Sequence, residues 1–304
     1  MPIRIPDDLP ARKTLEAEGV VVMDSTRAAR QAIRPLSIGL LNLMPNKERT
    51  ETQFSRLIGA TPLQVDLTLV RITDHRSRHT SEDYLKTFYQ TWEEVRTKKF
   101  DGFIVTGAPI AHIPFEEVRY WPEMVDIMNW TQTNVHHTMF ICWGAQAALH
   151  HFHGAKRYRL PKKAFGVYRH KVVNPRSDWV RGFSDSPMVP VSRINDIDRN
   201  SLGPDLEILI DNPDIGVCFL DDPKHRAVHM LNHLEYDNRS LADEYERDVK
   251  AGLNPDLPVN LFPDGDPTVV PENRWRSHAH LLFQNWINRI YQTTPFDPAE
   301  IGNS

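Results

Sequence analysis

Four stretches of strand length, separated by segments of helical spacing, narrow the fold more than anything else in this sequence. Residues 36–45 form a near-continuous apolar run closed by Pro45, the mark of a strand buried on both faces. Residues 63–72 alternate and read as a second strand, and residues 100–109 read as a third that ends in a turn containing Gly107. Met139, Phe140 and Ile141 make a fourth, shorter run. Between them, Lys47 to Leu57, Glu82 to Val95 behind a Ser81 cap, and residues 120–135 read as helices. Strands alternating with helices predict βαβ units and an α/β fold with a doubly wound, mostly parallel sheet. Such sheets bind ligands outside the carboxyl ends of their strands.

The fourth strand stops at Cys142 and turns at once into a helix that begins near Ala145. A thiol at this junction faces the free N–H groups of a helix N-terminus, which favour a thiolate and can hold an oxyanion. Gly144 sits just after the turn, where a tight backbone needs a residue without Cβ. A buried structural cysteine is the alternative, since free cysteine is among the most buried residue types. The carboxyl-end position of both Gly107 and Cys142 favours a functional thiol.

Composition excludes several classes. A net charge of −4 gives no support for nucleic-acid or anionic-membrane binding. Two cysteines, Cys142 and Cys218, do not make a disulfide framework in 304 residues. The N-terminus has no apolar leader, and no segment approaches the length of a membrane span, so a reducing cytoplasm is the expected compartment.

Residues 1–35 read as an N-terminal arm with one edge strand at 19–23. Beyond residue 150 the chain becomes β-rich, with strands expected at 166–173, 207–210, 216–220 and 226–231. A helix is expected from Ser240 to Ala251, stopped by Gly252. The proline-rich stretch 254–273 cannot be regular, and an amphipathic helix from Trp275 to Tyr291 closes the chain.

A thiol nucleophile needs a base, and the chain holds 14 histidines. His136, His137, His150, His151 and His153 read as solvated, and the His151-x-His153 pair lacks a carboxylate or cysteine at ligand spacing, so no metal site is expected. His233 differs, because it follows a strand end and is trailed by Glu235. Alternate residues of an extended segment share a face, so Glu235 can orient an imidazole that takes the proton from Cys142.

From about Arg34 to Pro295 the sequence closely resembles the homoserine O-acyltransferases of the succinyltransferase type, which have a class I glutamine-amidotransferase-like fold. The resemblance is carried by residues 41–45, Gln53-Phe54, 100–102, 105–109 and 120–122. It continues through Cys142-Trp143, 146–149, 166–168, Ser192-Arg193, 233–237, Arg247-Asp248 and 275–278. It implies a flavodoxin-like sheet in a catalytic domain at 36–295, with a tail at 296–304. It also implies a ping-pong reaction in which Cys142 takes the acyl group of an acyl-CoA and the hydroxyl of L-homoserine receives it. His233 would be the base and Glu235 its support, with the backbone N–H of Trp143 as oxyanion donor and a second donor from the Gly107-Ala108 turn. Lys163, Ser192 and Arg247 match the family's substrate-binding positions, and Arg247 suits a carboxylate. Acyl-CoA is a co-substrate, no bound cofactor is implied, and a homodimer in the methionine pathway is.

Two departures from the family pattern stand out. Asn232 and Leu234 occupy positions where the family has Gly and Pro, and Asn tolerates the left-handed conformation that Gly supplies. Ala111 stands where the family has Gly with succinyl-CoA and Glu with acetyl-CoA. Being small and neutral, Ala111 points to succinyl, whereas residues 112–117 look more like the acetyl-using members. The rival readings are a Cys-His-Glu hydrolase or amidotransferase, and a non-enzymatic relative that keeps a redox-sensitive cysteine.

Overall fold

Residues 36–41 are apolar except for Ser37 because they lie mid-sheet, paired on both edges. The computed structural model describes residues 3–6, 8–18, 20, 22, 23, 34–74 and 80–302. The chain opens with β1 (Ile3–Arg4), α1 (Ala11–Ala17) and β2 (Val22–Met23), then β3 (Leu36–Leu41), α2 (Lys47–Ile58) and β4 (Val65–Arg71). Next come α3 (Glu82–Phe88), β5 (Gln90–Thr91), α4 (Trp92–Val95), β6 (Phe100–Val105), α5 (Trp121–Asn134), β7 (Val135–Ile141) and α6 (Trp143–His153). The second half holds β8 (Arg157–Arg169), β9 (Lys171–Val172), β10 (Met188–Ile197), β11 (Glu207–Asn212), β12 (Gly216–Asp222) and β13 (Ala227–Met230). Helices α7 (Ser240–Lys250) and α8 (Arg276–Thr293) follow.

The main sheet has the order β2-β1-β4-β3-β6-β7-β13-β12-β11-β9, with β5 paired to β4 off this path. Pairing is parallel from β2 to β13 and antiparallel beyond. Apolar side chains from α1, α2 and α8 (Leu15, Phe54, Trp286) cover one face, and those from α5 and α6 (Met128, Leu149) cover the other. This is the doubly wound arrangement expected. Strands β8 and β10 form a separate antiparallel pair.

The structure departs from or adds to expectation in six places. The single helix anticipated over 82–95 is two short ones. Tyr89 is extended, and Thr91 restarts the helix through a reciprocal capping box with Glu94, a local signal stronger than continued helical spacing. Strand β3 ends at Leu41 rather than Pro45: the Asn42 amide still donates to Val70 O at 3.0 Å, but the amide of Leu43 is taken by Thr106 Oγ1. Strand β7 begins at Val135, which buries His137 instead of leaving it solvated. Its Nδ1 accepts from Trp286 Nε1 at 3.1 Å, and burial pushes its pKa down to about 3. The N-terminal arm carries a second strand and a helix besides the edge strand β2, whose neighbours Gly19 and Val21 lie outside the described residues. Strand β10 is not among the strands expected. The tail, finally, is fastened to the body, since Ile301 is buried and its carbonyl accepts from Lys99 Nζ at 2.9 Å.

Gly102 of β6 has no room for a side chain, because a Cβ there would lie 2.7 Å from the Trp286 ring and 2.9 Å from Ile290. Gly102→Ala is therefore expected to destabilise the protein by about 1–3 kcal/mol through overpacking. The check is a lower urea midpoint with an unchanged slope.

Candidate active site

Strand β7 delivers Cys142 to the carboxyl edge of the sheet, where its amide donates to Met230 O of β13 at 2.7 Å. Cys142 has φ 51 and ψ −115, a conformation rare for a residue with a Cβ. It costs about 1–3 kcal/mol wherever it persists, and such outliers gather at functional sites. The positive φ belongs to the cysteine, and Gly144, just after the turn, is needed for lack of a Cβ as expected: a Cβ there would stand 2.8 Å from Thr106 O. The helix N-terminus is thus pressed against the end of β6.

Gly107 seats the other side. A Cβ on it would meet Cys142 Cβ at 3.1 Å, Cys142 Sγ at 3.5 Å and His233 Cε1 at 3.7 Å. Thiol and imidazole therefore converge on one glycine. Cys142 is partly exposed and Cys218 is buried, so only the former is open to a reactant. His233 Nδ1 and Glu235 Oε1 are 2.6 Å apart, both residues are buried, and the imidazole is in hydrogen-bonding reach of Cys142. The Tyr236 ring stacks on His233 at 4.1 Å. The segment is held from behind by His233 N donating to Pro190 O of β10. It is held from the side by Asp237, which accepts from Arg49 at 2.7 Å and from Gln53 at 3.2 Å, both on α2. Asn232 does not use the left-handed conformation allowed for it. It is fully buried, and its Nδ2 faces His170 Nε2 at 3.1 Å.

Burial alone would lower the pKa of His233. Negative charge on Cys142 and Glu235, with hydrogen bonds to both, overcomes that and raises it well above the usual imidazole value.

Lys163, Ser192 and Arg247 also come together, around a residue the sequence did not single out. Glu244 Oε1 lies 2.7 Å from Lys163 Nζ, 2.9 Å from Ser192 Oγ and 3.8 Å from Arg247. Arg247 is well exposed and also pairs with Asp248 at 2.7 Å. Glu244 and Arg247 line a cavity of about 650 Å³ with Lys47, Gln53, Tyr84 and Tyr236. Tyr236 thus joins this cavity to the imidazole. Burial lowers the pKa of Lys47 to about 8, and its ammonium donates to Asn42 O. Lys47 and Glu244 were both missed, because charged residues in helices ordinarily read as solvated faces.

Trp143 opens α6, so its amide has no carbonyl one turn earlier to pair with. Ala111 is half-buried, and its carbonyl accepts from Asn195 Nδ2. His151 and His153 do not share a partner. His151 bonds Asn129 at 2.8 Å, and His153, far from solvated, is buried against Asp222 at 2.6 Å.

A family model described as homoserine O-succinyltransferase matches residues 2–296. The chain belongs to that family, and with it to the homoserine O-acyltransferases. It is 74% identical over 302 residues to a protein of Pelagibacterium halotolerans named homoserine O-succinyltransferase, covering 99% of each chain. It is 62% identical to a protein of Rhizorhabdus wittichii named homoserine O-acetyltransferase, covering 99% of this chain and 95% of the relative. Among solved structures, a glutamine amidotransferase from Thermotoga maritima matches with a TM-score of 0.57 at 13% identity, over 86% of this chain and 100% of the other. That likeness shows a shared class I amidotransferase-like fold.

Removing the thiol should release part of the hold on the His233 proton. A raised native pKa means that the charged imidazole stabilises the fold fully below about pH 6.5, the unfolded value. That contribution is lost as pH climbs through the native pKa. In Cys142→Ala, His233 should titrate at lower pH than in the wild type, followed by the NMR shift of its ring protons. An unchanged titration would contradict the assignment of Cys142 as a source of the raised value.

Proposed function

We propose that this chain transfers a succinyl group from succinyl-CoA to the side-chain hydroxyl of L-homoserine through a thioester on Cys142, the committed acylation step of methionine biosynthesis. The observation that carries the reading is the convergence of Cys142 and His233 on Gly107, with Glu235 behind the imidazole. The charged pair makes a ping-pong sequence balance. The Cys142 sulfur attacks the donor carbonyl, the bond to the CoA sulfur breaks, and CoA leaves with the proton of His233. Acylation removes the charge from Cys142, so the imidazole loses part of what raised its pKa and becomes a base. It then takes the hydroxyl proton as the homoserine oxygen attacks, and collapse returns Cys142 as thiolate and His233 as imidazolium. In this reading the backbone N–H groups of Trp143 and the Gly107-Ala108 turn hold the oxyanion of both steps.

For the acceptor, exposed Arg247 offers a two-pronged grip on the α-carboxylate. Glu244 supplies negative charge for the α-ammonium, with Lys163 and Ser192 fixing its position. For the donor, a methyl at residue 111 leaves the space and neutrality that a succinyl carboxylate needs, where glutamate would repel it. Acetyl-CoA is the alternative, favoured by residues 112–117 and by relatives named acetyltransferases. Acyl-CoA is the co-substrate, and the reading includes a cytoplasmic homodimer. Among the described residues no helix is long and apolar enough to cross a membrane.

Purified protein mixed with homoserine and each acyl-CoA should release CoA faster from the succinyl donor, and Ala111→Glu should shift the preference toward acetyl by about tenfold or more. No CoA release from either donor would end the acyltransferase reading, and an acetyl preference in the wild type would end the succinyl one. Cys142→Ala should lose at least about a thousandfold in kcat/KM.

A further inference from the structure

At the opposite end of the nucleophile helix, the last residue of α6 meets the β12–β13 hairpin. His153 Nε2 lies 2.6 Å from Asp222 Oδ2, and His225 Nδ1 lies 2.9 and 3.0 Å from the two carboxylate oxygens. The donor atoms of these three residues all fall within 4.8 Å of one another. His229 stands behind them, its Nε2 3.3 Å from Asp222 Oδ2. Asp222 and His229 are fully buried, the His153 side chain is 5% exposed, and that of His225 is 14% exposed, which leaves one open approach. With a rise of about 1.5 Å per residue, α6 holds His153 roughly 15 Å from Cys142, so the cluster is separate from the acyl-transfer chemistry.

We propose that His153, Asp222 and His225 form a zinc site, with His229 as the outer partner that orients the carboxylate. Two imidazole nitrogens and one carboxylate oxygen are a donor set that suits zinc, whereas calcium and magnesium prefer oxygen alone. Among the described residues, only histidines form ion pairs with Asp222, so the buried carboxylate has no lysine or arginine as a permanent counter-charge. A divalent cation supplies one. The rings are already fixed by packing: Phe152 stacks on His225 at 4.3 Å, and Phe140 stacks on His229 at 5.4 Å. Ligand atoms about 2.1 Å from a tetrahedral zinc stand roughly 3.4 Å apart, so the ion enters by spreading these hydrogen-bonded groups by a fraction of an ångström. A neutral ring that gives its nitrogen lone pair to the ion carries its proton on the other nitrogen. The fourth position faces the opening at His225 and takes water.

The sequence pattern hid this site. His151-x-His153 lacks a neighbouring carboxylate, and the one that completes the cluster lies 69 residues away. Bound zinc would clamp the far end of the nucleophile helix to the β12–β13 hairpin, a structural role that adds to cohesion rather than turnover.

The test uses untagged full-length protein, stripped with chelator and then given zinc. The expected result is one zinc per chain after desalting by elemental analysis, a rise in Tm of several degrees, and visible absorption typical of tetrahedral cobalt when cobalt replaces zinc. His225→Ala, at the most exposed ligand, should lose all three while keeping the wild-type Tm measured without metal. Cys142→Ser should keep them, which excludes zinc held by the nucleophile, and His151→Ala serves as a surface control. Failure of the wild type to retain zinc, or retention by His225→Ala, overturns the site and shows a cluster held by hydrogen bonds alone.

Discussion

Everything at the carboxyl edge of the sheet depends on the backbone of one residue. Cys142 must leave β7 and enter α6 within a single step, and it does so at φ 51. Two glycines make that step possible from either side: Gly144 lets the helix end approach β6, and Gly107 leaves space for the sulfur and the imidazole together. The amide of Cys142 is held by Met230 O, on the strand that leads to His233. Nucleophile and base therefore lie just beyond adjacent parallel strands, and the segment that carries the base is fixed by its bonds to β10 and α2.

The same logic places the polar cavity. Asp237 ties the segment after the base to Arg49 and Gln53 on α2, while Glu244 on α7 collects Lys163 and Ser192 from the β8–β10 pair. Three parts of the chain remote in sequence meet there, with Tyr236 between them and His233. A small polar acceptor in this cavity would find charge of both signs within reach of the reacting atoms.

The sequence made some of this legible and hid the rest for physical reasons. Strands β3, β6 and β7 could be read because burial on both faces demands near-continuous apolar runs, and β4 because its buried and half-buried residues alternate. Cys142, His233 and Glu235 could be read because each falls at a strand end. By contrast, the split at Thr91 depends on a local cap, and β10 draws its stability from pairing with β8 rather than from its own pattern. Glu244 looked like one more acid on a helix rich in them. His153, on a helix, looked solvated because the carboxylate beside it comes from the end of β12, remote in sequence.

The central claim, that the sulfur on this turn carries the acyl group, is open to one direct measurement. Enzyme incubated with succinyl-CoA and no homoserine, then digested and examined by mass spectrometry, should show a succinyl adduct on the peptide containing Cys142, and the adduct should vanish when homoserine is added. Turnover of homoserine by an enzyme whose Cys142 peptide stays unmodified under these conditions, or an adduct on another residue that homoserine discharges, would contradict it.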